Sequence, residues 1–363
     1  MSKVWLFSKP LDLIVLFLPV WITWSISFLL SESVLHADVP QWFWVVCILG
    51  IDVTHVWSTM YRTYFDNEEF RRHKLLLWIA PILVFVGAFL VNMYLPIYFW
   101  RIMAYLALFH FIKQQYGFMA IYRAKSGFFS KRAWLTDRQM IYLATIYPVI
   151  YWHFNSDATF NWFAQNDFFP LYKWASMDAF FDYANYFYFI LLGAWLVVEL
   201  IETKRNELPV AWGKILWLFS TVGTWYFGIV YFNSDLVFTL TNVVSHGVPY
   251  MLLIFYYVLK KKKIKKGQWM SSMNLLKWVL GMFLLVLVFA FIEESCWDMF
   301  VNAERTALFG AVLSYSFVQL QGTYTYAIAV ALLSVPQLTH YMVDGFIWKS
   351  NSKNPDLKRI IFE

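Results

Sequence analysis

Cysteine and charge are what this sequence has least of. Of its 363 residues only two are cysteine, Cys47 and Cys296. Two thiols cannot build a disulfide framework, a zinc knuckle or an iron–sulfur cluster, each of which takes four ligands or several pairs. Any metal ion must therefore be held by imidazole and carboxylate. A Gly-rich nucleotide loop, a G-x-S-x-G elbow and an H-E-x-x-H signature are all missing, which removes the nucleotide sites, serine hydrolases and zincins that those motifs build. Charged residues make up 14% of the chain against 60% hydrophobic, and the mean hydropathy of +0.53 lies well outside the soluble globular range. The formal charge of +6 does not point to nucleic acid, because the basic residues are confined to particular loops and report topology.

What is present instead is helix compatible with lipid. A bilayer core of about 30 Å takes roughly 20 apolar residues to cross, and the hydropathy predicts an all-α fold: a polytopic integral membrane bundle forming one transmembrane domain over 1–363. Ten spans are expected, at 11–31, 41–61, 75–96, 100–121, 136–153, 182–202, 211–232, 236–259, 274–292 and 326–348. The first follows Lys3 and Lys9 but is too long for a signal peptide and lacks a small-residue cleavage site, so it reads as a retained span. Lys and Arg gather after every even-numbered span: Arg62 to Lys74, Arg123 to Arg138, Lys204 and Arg205, Lys260 to Lys266, and Lys349 to Arg359. Those loops, and both termini, are expected in the cytoplasm; a bacterial inner membrane is the expected location. The Lys260 to Lys266 run reads as a stop-transfer signal and a contact for anionic lipid. The outer loop 154–181, rich in Phe and Trp, suits the headgroup layer. Residues 305–323 are apolar but would break the alternation if they crossed, so a re-entrant or interfacial helix is expected there.

Ionisable groups inside such helices cost roughly 2.5–3.5 kcal/mol each on insertion scales and mark function. Here they recur in a pattern. Four helices each supply one imidazole, in "DVTHVW" (Asp52, His55), "FHFIKQQYG" (His110, Lys113, Gln114), "TNVVSHGVP" (Asn242, His246) and "QLTHYMVD" (Gln337, His340, Asp344). A carboxylate or amide three or four residues away lies on the same helix face, one turn from each His. A metal-ligating His needs that arrangement, because its second ring nitrogen must meet an acceptor that fixes tautomer and orientation. Each His also lies about 7 to 14 residues, or roughly 10–20 Å, from the first cytoplasmic basic residue. The expected metal ligands are thus His55, His110, His246, His340 and Asp344, with Asp52, Lys113, Gln114, Asn242 and Gln337 orienting them or touching substrate. Lys113 is placed to hold a substrate anion or to pair with Asp52 or Asp344. His36, His73 and His153 fall at helix ends or in a basic loop and read as ordinary solvated groups.

Imidazole and carboxylate without thiolate suit iron, zinc, copper or manganese, and a His-rich site between membrane helices favours non-haem iron. The expected reaction is oxidation of a lipid-soluble molecule by oxygen: hydroxylation, desaturation or oxidative cleavage. Such an enzyme meets membrane lipid, its lipid-soluble substrate and, where external electrons are needed, a separate reductase. The stretch "LLSVPQLTHYMVD" resembles the final helix of the Brp/Blh family of membrane carotene-cleaving dioxygenases, in which a Val-Pro dipeptide precedes a metal-binding His and an Asp follows. That resemblance implies His340 as an iron ligand and an isoprenoid substrate, and it carries nothing over to His55 or His110. Haem held by paired imidazoles, a zinc enzyme and a transporter relaying protons through His, Asp and Lys113 are the alternatives. Reporter fusions test the topology: the 260–273 loop reports as cytoplasmic, and an outer location contradicts the ten-span reading.

Overall fold

A computed structural model describes residues 4–37, 39–127, 130–155, 157, 160, 162–164, 167–174, 177–266, 271–314, 317, 318, 320–349 and 354–362. Lys353, residues 267–270 of the basic loop, part of the 154–181 loop, and 315, 316 and 319 of the 305–323 stretch lie outside the described residues. Among the described residues every regular element is helical. The helices are α1 (Lys9–Ser27), α2 (Gln41–Arg62), α3 (Asn67–Arg72), α4 (Lys74–Tyr94), α5 (Pro96–Lys125) and α6 (Lys131–Phe154). They continue as α7 (Asp178–Arg205), α8 (Trp212–Trp225) with a π-helical extension Tyr226–Tyr231, α9 (Asp235–Lys266) and α10 (Ser272–Trp297). The last are α11 (Thr306–Leu313), α12 (Thr323–Ile347) and α13 (Pro355–Phe362).

Seven of them, α1, α2, α4, α7, α9, α10 and α12, are long and apolar enough to cross a membrane. The other three expected spans are helices too, α5, α6 and α8, and they carry charged side chains: Arg101, Lys113 and Arg123, then Asp137 and Arg138, then Lys214. The seven differ in what surrounds them. The most apolar window of α9 is 78% buried, against 17% for α7 and α10. Phe187 and Ile190 on α7, Leu284 and Val288 on α10, and Ile82 and Leu83 on α4 are exposed, which is the surface expected of helices whose solvent is hydrocarbon. The eight residues of α11 span only about 12 Å, too little to cross. Phe309 fastens that helix, buried between Trp44 and Phe291 at 5.8 and 5.3 Å.

Local sequence explains where the helices start. Ser130 accepts from the Ala133 N–H and opens α6, Asp66 accepts from the Glu68 and Glu69 N–H groups and opens α3, and Ser271 accepts from the Asn274 N–H and opens α10. Each satisfies a backbone donor that helix geometry leaves without a partner. Pro81, Pro148, Pro249 and Pro336 lie inside helices, a usage more typical of membrane than of soluble helices.

The chain divides into two units, Met1–Pro40 with Ala104–Pro249, and Gln41–Met103 with Tyr250–Glu363. In the first, α8 approaches its neighbours through glycine. A Cβ on Gly213 would run into the Tyr122 ring and the Val4 carbonyl, and one on Gly223 into the Trp24 ring, the close packing by small residues that membrane helices use. A buried ion network joins α5 to α8: Arg123 pairs with Asp137 and, at 2.7 Å, with Glu199. Lys214 lies 2.6 Å from Glu199 and 3.3 Å from Asp137, and the Trp195 N–H donates to Asp137 at 2.9 Å. The described residues between α6 and α7 pack on the first unit. Asp167 accepts from the Trp162 and Phe163 N–H groups, both at 2.9 Å, and Trp162 stacks on Phe238. Phe160 and Phe168 are buried, while Phe169 and Trp174 are exposed.

In the second unit α4 and α12 pack along each other through Leu77, Ala80, Val343 and Ile347, while Tyr250, Met251, Ile254 and Phe255 of α9 pack on Met282 of α10. Its charged groups also meet inside: Arg62 reaches Glu69 at 2.5 Å, Arg72 bridges Glu69 and Asp356 of α13, and Lys261 reaches Asp66 at 2.6 Å.

Removing one member of a buried ion network leaves the others unpaired and costs about 3–5 kcal/mol. Asp137→Ala is expected to lose about that much in reversible unfolding in mixed micelles, whereas the exposed Lys113→Met changes stability by less than about 0.5 kcal/mol.

Candidate metal centre

The backbone of α2 changes character at the site. Residues Trp44–Val53 are π-helical, Thr54–Ser58 α-helical and Thr59–Arg62 3₁₀. The Thr54 hydroxyl donates back to the Leu49 carbonyl at 2.7 Å, serving an acceptor in the wide turns. Wide turns of this kind interrupt helices most often at functional sites. Here they carry Asp52 and bring His55 against His340 of α12, with ring centroids 5.0 Å apart and nearly perpendicular. In the first unit His110 of α5 and His246 of α9 form a matching pair, also at 5.0 Å. The ligand-capable atoms of His55, His110, His246 and His340 all lie within 4.8 Å of one another, and all four side chains are buried. These four histidines, placed together by their sequence pattern, can hold one metal ion.

Distances decide what kind of group fits. A single ion with nitrogen bonds of about 2.0–2.1 Å sets its donors at most about 4.2 Å apart. The cluster exceeds that by little more than half an ångström, within reach of small side-chain rotations. Two ions about 3.5–4 Å apart would need donors spread much more widely.

The flanking residues are placed unevenly. Asp52 is half-buried with its Oδ1 3.6 Å from His55 Nδ1. Asp344 lies outside the ligand-capable set, its Oδ1 3.9 Å from His340 Nδ1. His340 Nδ1 is instead 2.7 Å from the Thr59 hydroxyl, which lies 2.9 Å from the Tyr250 hydroxyl, and Tyr250 donates to Asp344 at 2.5 Å. Gln114 donates through Nε2 to the His246 carbonyl at 2.7 Å, in the turn of α9 that Pro249 interrupts. Asn242 is buried one turn before His246. The Phe111 ring packs on His246 at 4.5 Å and is backed by Trp162 of the outer loop at 5.8 Å.

Three expectations are corrected. Lys113 does not pair with Asp52 or Asp344: it is exposed, donates to the Tyr142 hydroxyl at 3.4 Å and lies near the Tyr116 ring. The three-residue step from His110 rotates it far enough round α5 to leave the interior. Gln337 does not close the set; its amide donates to the Tyr341 hydroxyl at 2.7 Å. His73 and His153 are buried rather than solvated. Both nitrogens of His153 are engaged, by Tyr105 and by the Val149 carbonyl, each at 2.7 Å. Thr59 and Tyr250 were missed, although each stands four residues after a histidine.

No protein-family model matches the chain, and no curated protein or solved structure is similar to it.

Single His→Ala changes at positions 55, 110, 246 and 340 are each expected to lower the transition metal retained by the purified protein at least as far as the about 10–100-fold that loss of an orienting group causes. Lys113→Met is expected to retain the wild-type amount. Elemental analysis of the detergent-solubilised variants checks both.

Proposed function

We propose that the protein is an integral membrane, metal-dependent oxidoreductase, in which His55, His110, His246 and His340 hold one iron ion and a lipid-soluble substrate is oxidised by oxygen. The observation that carries this reading is the convergence of four buried imidazoles, from four helices, to within 4.8 Å. Four buried histidines with no thiolate form a donor set that suits iron, copper or zinc. Iron is favoured because oxidation suits a site enclosed by hydrocarbon, to which oxygen and apolar substrates both partition. An iron ion bound there would supply the one-electron steps through which oxygen, a ground-state triplet, can react with a closed-shell substrate.

The chain's own residues provide the rest. Asp52 and Asp344 place two carboxylates beside His55 and His340, offsetting a dication whose burial would otherwise be prohibitive. Phe111 and Trp162 cover His246 and keep water from it. The exposed apolar faces of α4, α7 and α10 support a bilayer as the surrounding phase; the alternation of basic loops in the sequence is what supports ten spans with cytoplasmic termini. The resemblance of residues 332–344 to the final helix of Brp/Blh-type dioxygenases agrees with an isoprenoid substrate and gives His340 the same role. The outward position of Lys113 weakens a proton relay through that residue.

The test is oxygen uptake by iron-loaded protein in nanodiscs, with β-carotene as the probe substrate. Carotene-dependent uptake with a cleaved or hydroxylated product, lost in His340→Ala, is the expected result. A folded wild-type protein that binds no iron, copper or zinc contradicts the reading.

A further inference from the structure

One turn beyond each histidine of the cluster stands a hydrogen-bonding side chain: Thr59 after His55, Gln114 after His110, Tyr250 after His246 and Asp344 after His340. Four residues advance a helix by about 6 Å on nearly the same face, so each of these side chains lies one turn from its imidazole. In the second unit three of them are joined. Thr59, Tyr250 and His340 are all buried, and the chain of contacts runs from His340 Nδ1 to Thr59 at 2.7 Å, from Thr59 to Tyr250 at 2.9 Å and from Tyr250 to Asp344 at 2.5 Å. The direct path from Nδ1 to Asp344 Oδ1, 3.9 Å, is too long for a hydrogen bond.

Counting protons along this chain fixes its direction. Tyr250 has one hydroxyl proton and donates it to Asp344, so toward Thr59 its oxygen must accept. Thr59 then spends its single proton on Tyr250 and must accept from His340. His340 therefore carries a proton on Nδ1, and in the neutral ring the lone pair lies on Nε2, the atom that would face an ion. We propose that Thr59 and Tyr250 are positioning residues that transmit the Asp344 carboxylate to His340, fixing its tautomer and presenting Nε2 to the metal. This rests on the metal reading above and deepens it: the carboxylate one turn from the histidine acts through two hydroxyls supplied by α2 and α9, not by direct contact. Because those hydroxyls come from different helices, the relay also sets where α12 stands when His340 is correctly aimed.

Co2+ is the probe. The full-length protein, stripped with a chelator, is titrated with Co2+ against a competing chelator while its visible ligand-field bands are recorded. Thr59→Val, which keeps the shape and removes the hydroxyl, and Tyr250→Phe are each expected to weaken Co2+ binding about 10–100-fold and to shift the ligand-field bands. Thr59→Ser restores both. Wild-type affinity and spectrum in Thr59→Val overturn the relay while leaving the metal site standing. An equal loss in Thr59→Ser and Thr59→Val also overturns it, because the lost group is then the methyl and the role is packing. A wild-type protein that takes up no Co2+ refutes the metal reading itself, and the relay with it.

Discussion

A polar group inside an apolar bundle has to find its partner within the protein, because neither hydrocarbon nor water is there to supply one. The placement of nearly every informative residue in this chain follows from that constraint. Arg123, Asp137, Glu199 and Lys214 neutralise one another where four helices of the first unit meet. Arg62, Glu69, Arg72 and Asp356 do the same in the second and fasten the C-terminal helix to α3. Both networks balance cations against carboxylates. The histidine cluster differs in kind: four buried imidazoles are drawn together, with Asp52 beside His55 and Asp344 beside His340.

The same constraint orders the surroundings of the cluster. Nδ1 of His340 and the Asp344 carboxylate are joined through two hydroxyls, and the Gln114 amide serves the His246 carbonyl beside a proline-interrupted turn. These bonds hold ring orientations that helix packing alone leaves loose. Packing contributes elsewhere: the glycines of α8 admit Trp24 and Tyr122 to the helix backbone, and Trp162 packs against Phe238 and Phe111.

Helix positions were legible in the sequence because a membrane helix is an uninterrupted apolar run, and each of the ten expected spans corresponds to a helix. Three of those runs hold charged side chains, and Asp137 and Lys214 among them are neutralised inside the fold by residues distant in sequence, which no local window registers. The four histidines were legible as a set because each is an imidazole in an apolar helix with a polar neighbour one turn away. Spacing alone misplaced Lys113 and Gln337. A three-residue step turns about 300°, so a side chain at that offset sits on one flank of the face, and the neighbouring helix decides whether it points in or out. Thr59 and Tyr250 escaped because hydroxyls are cheap in a membrane helix and carry no signal until a partner from another helix is known.

X-ray absorption at the edge of the bound metal in purified wild-type protein addresses the central claim most directly. The account predicts a single ion with imidazole scattering from about four nitrogen donors at about 2.0–2.1 Å, reduced by one donor in each of the four His→Ala variants that retains metal. A porphyrin signature, a second metal within about 4 Å, or a first shell of oxygen without imidazole would contradict it.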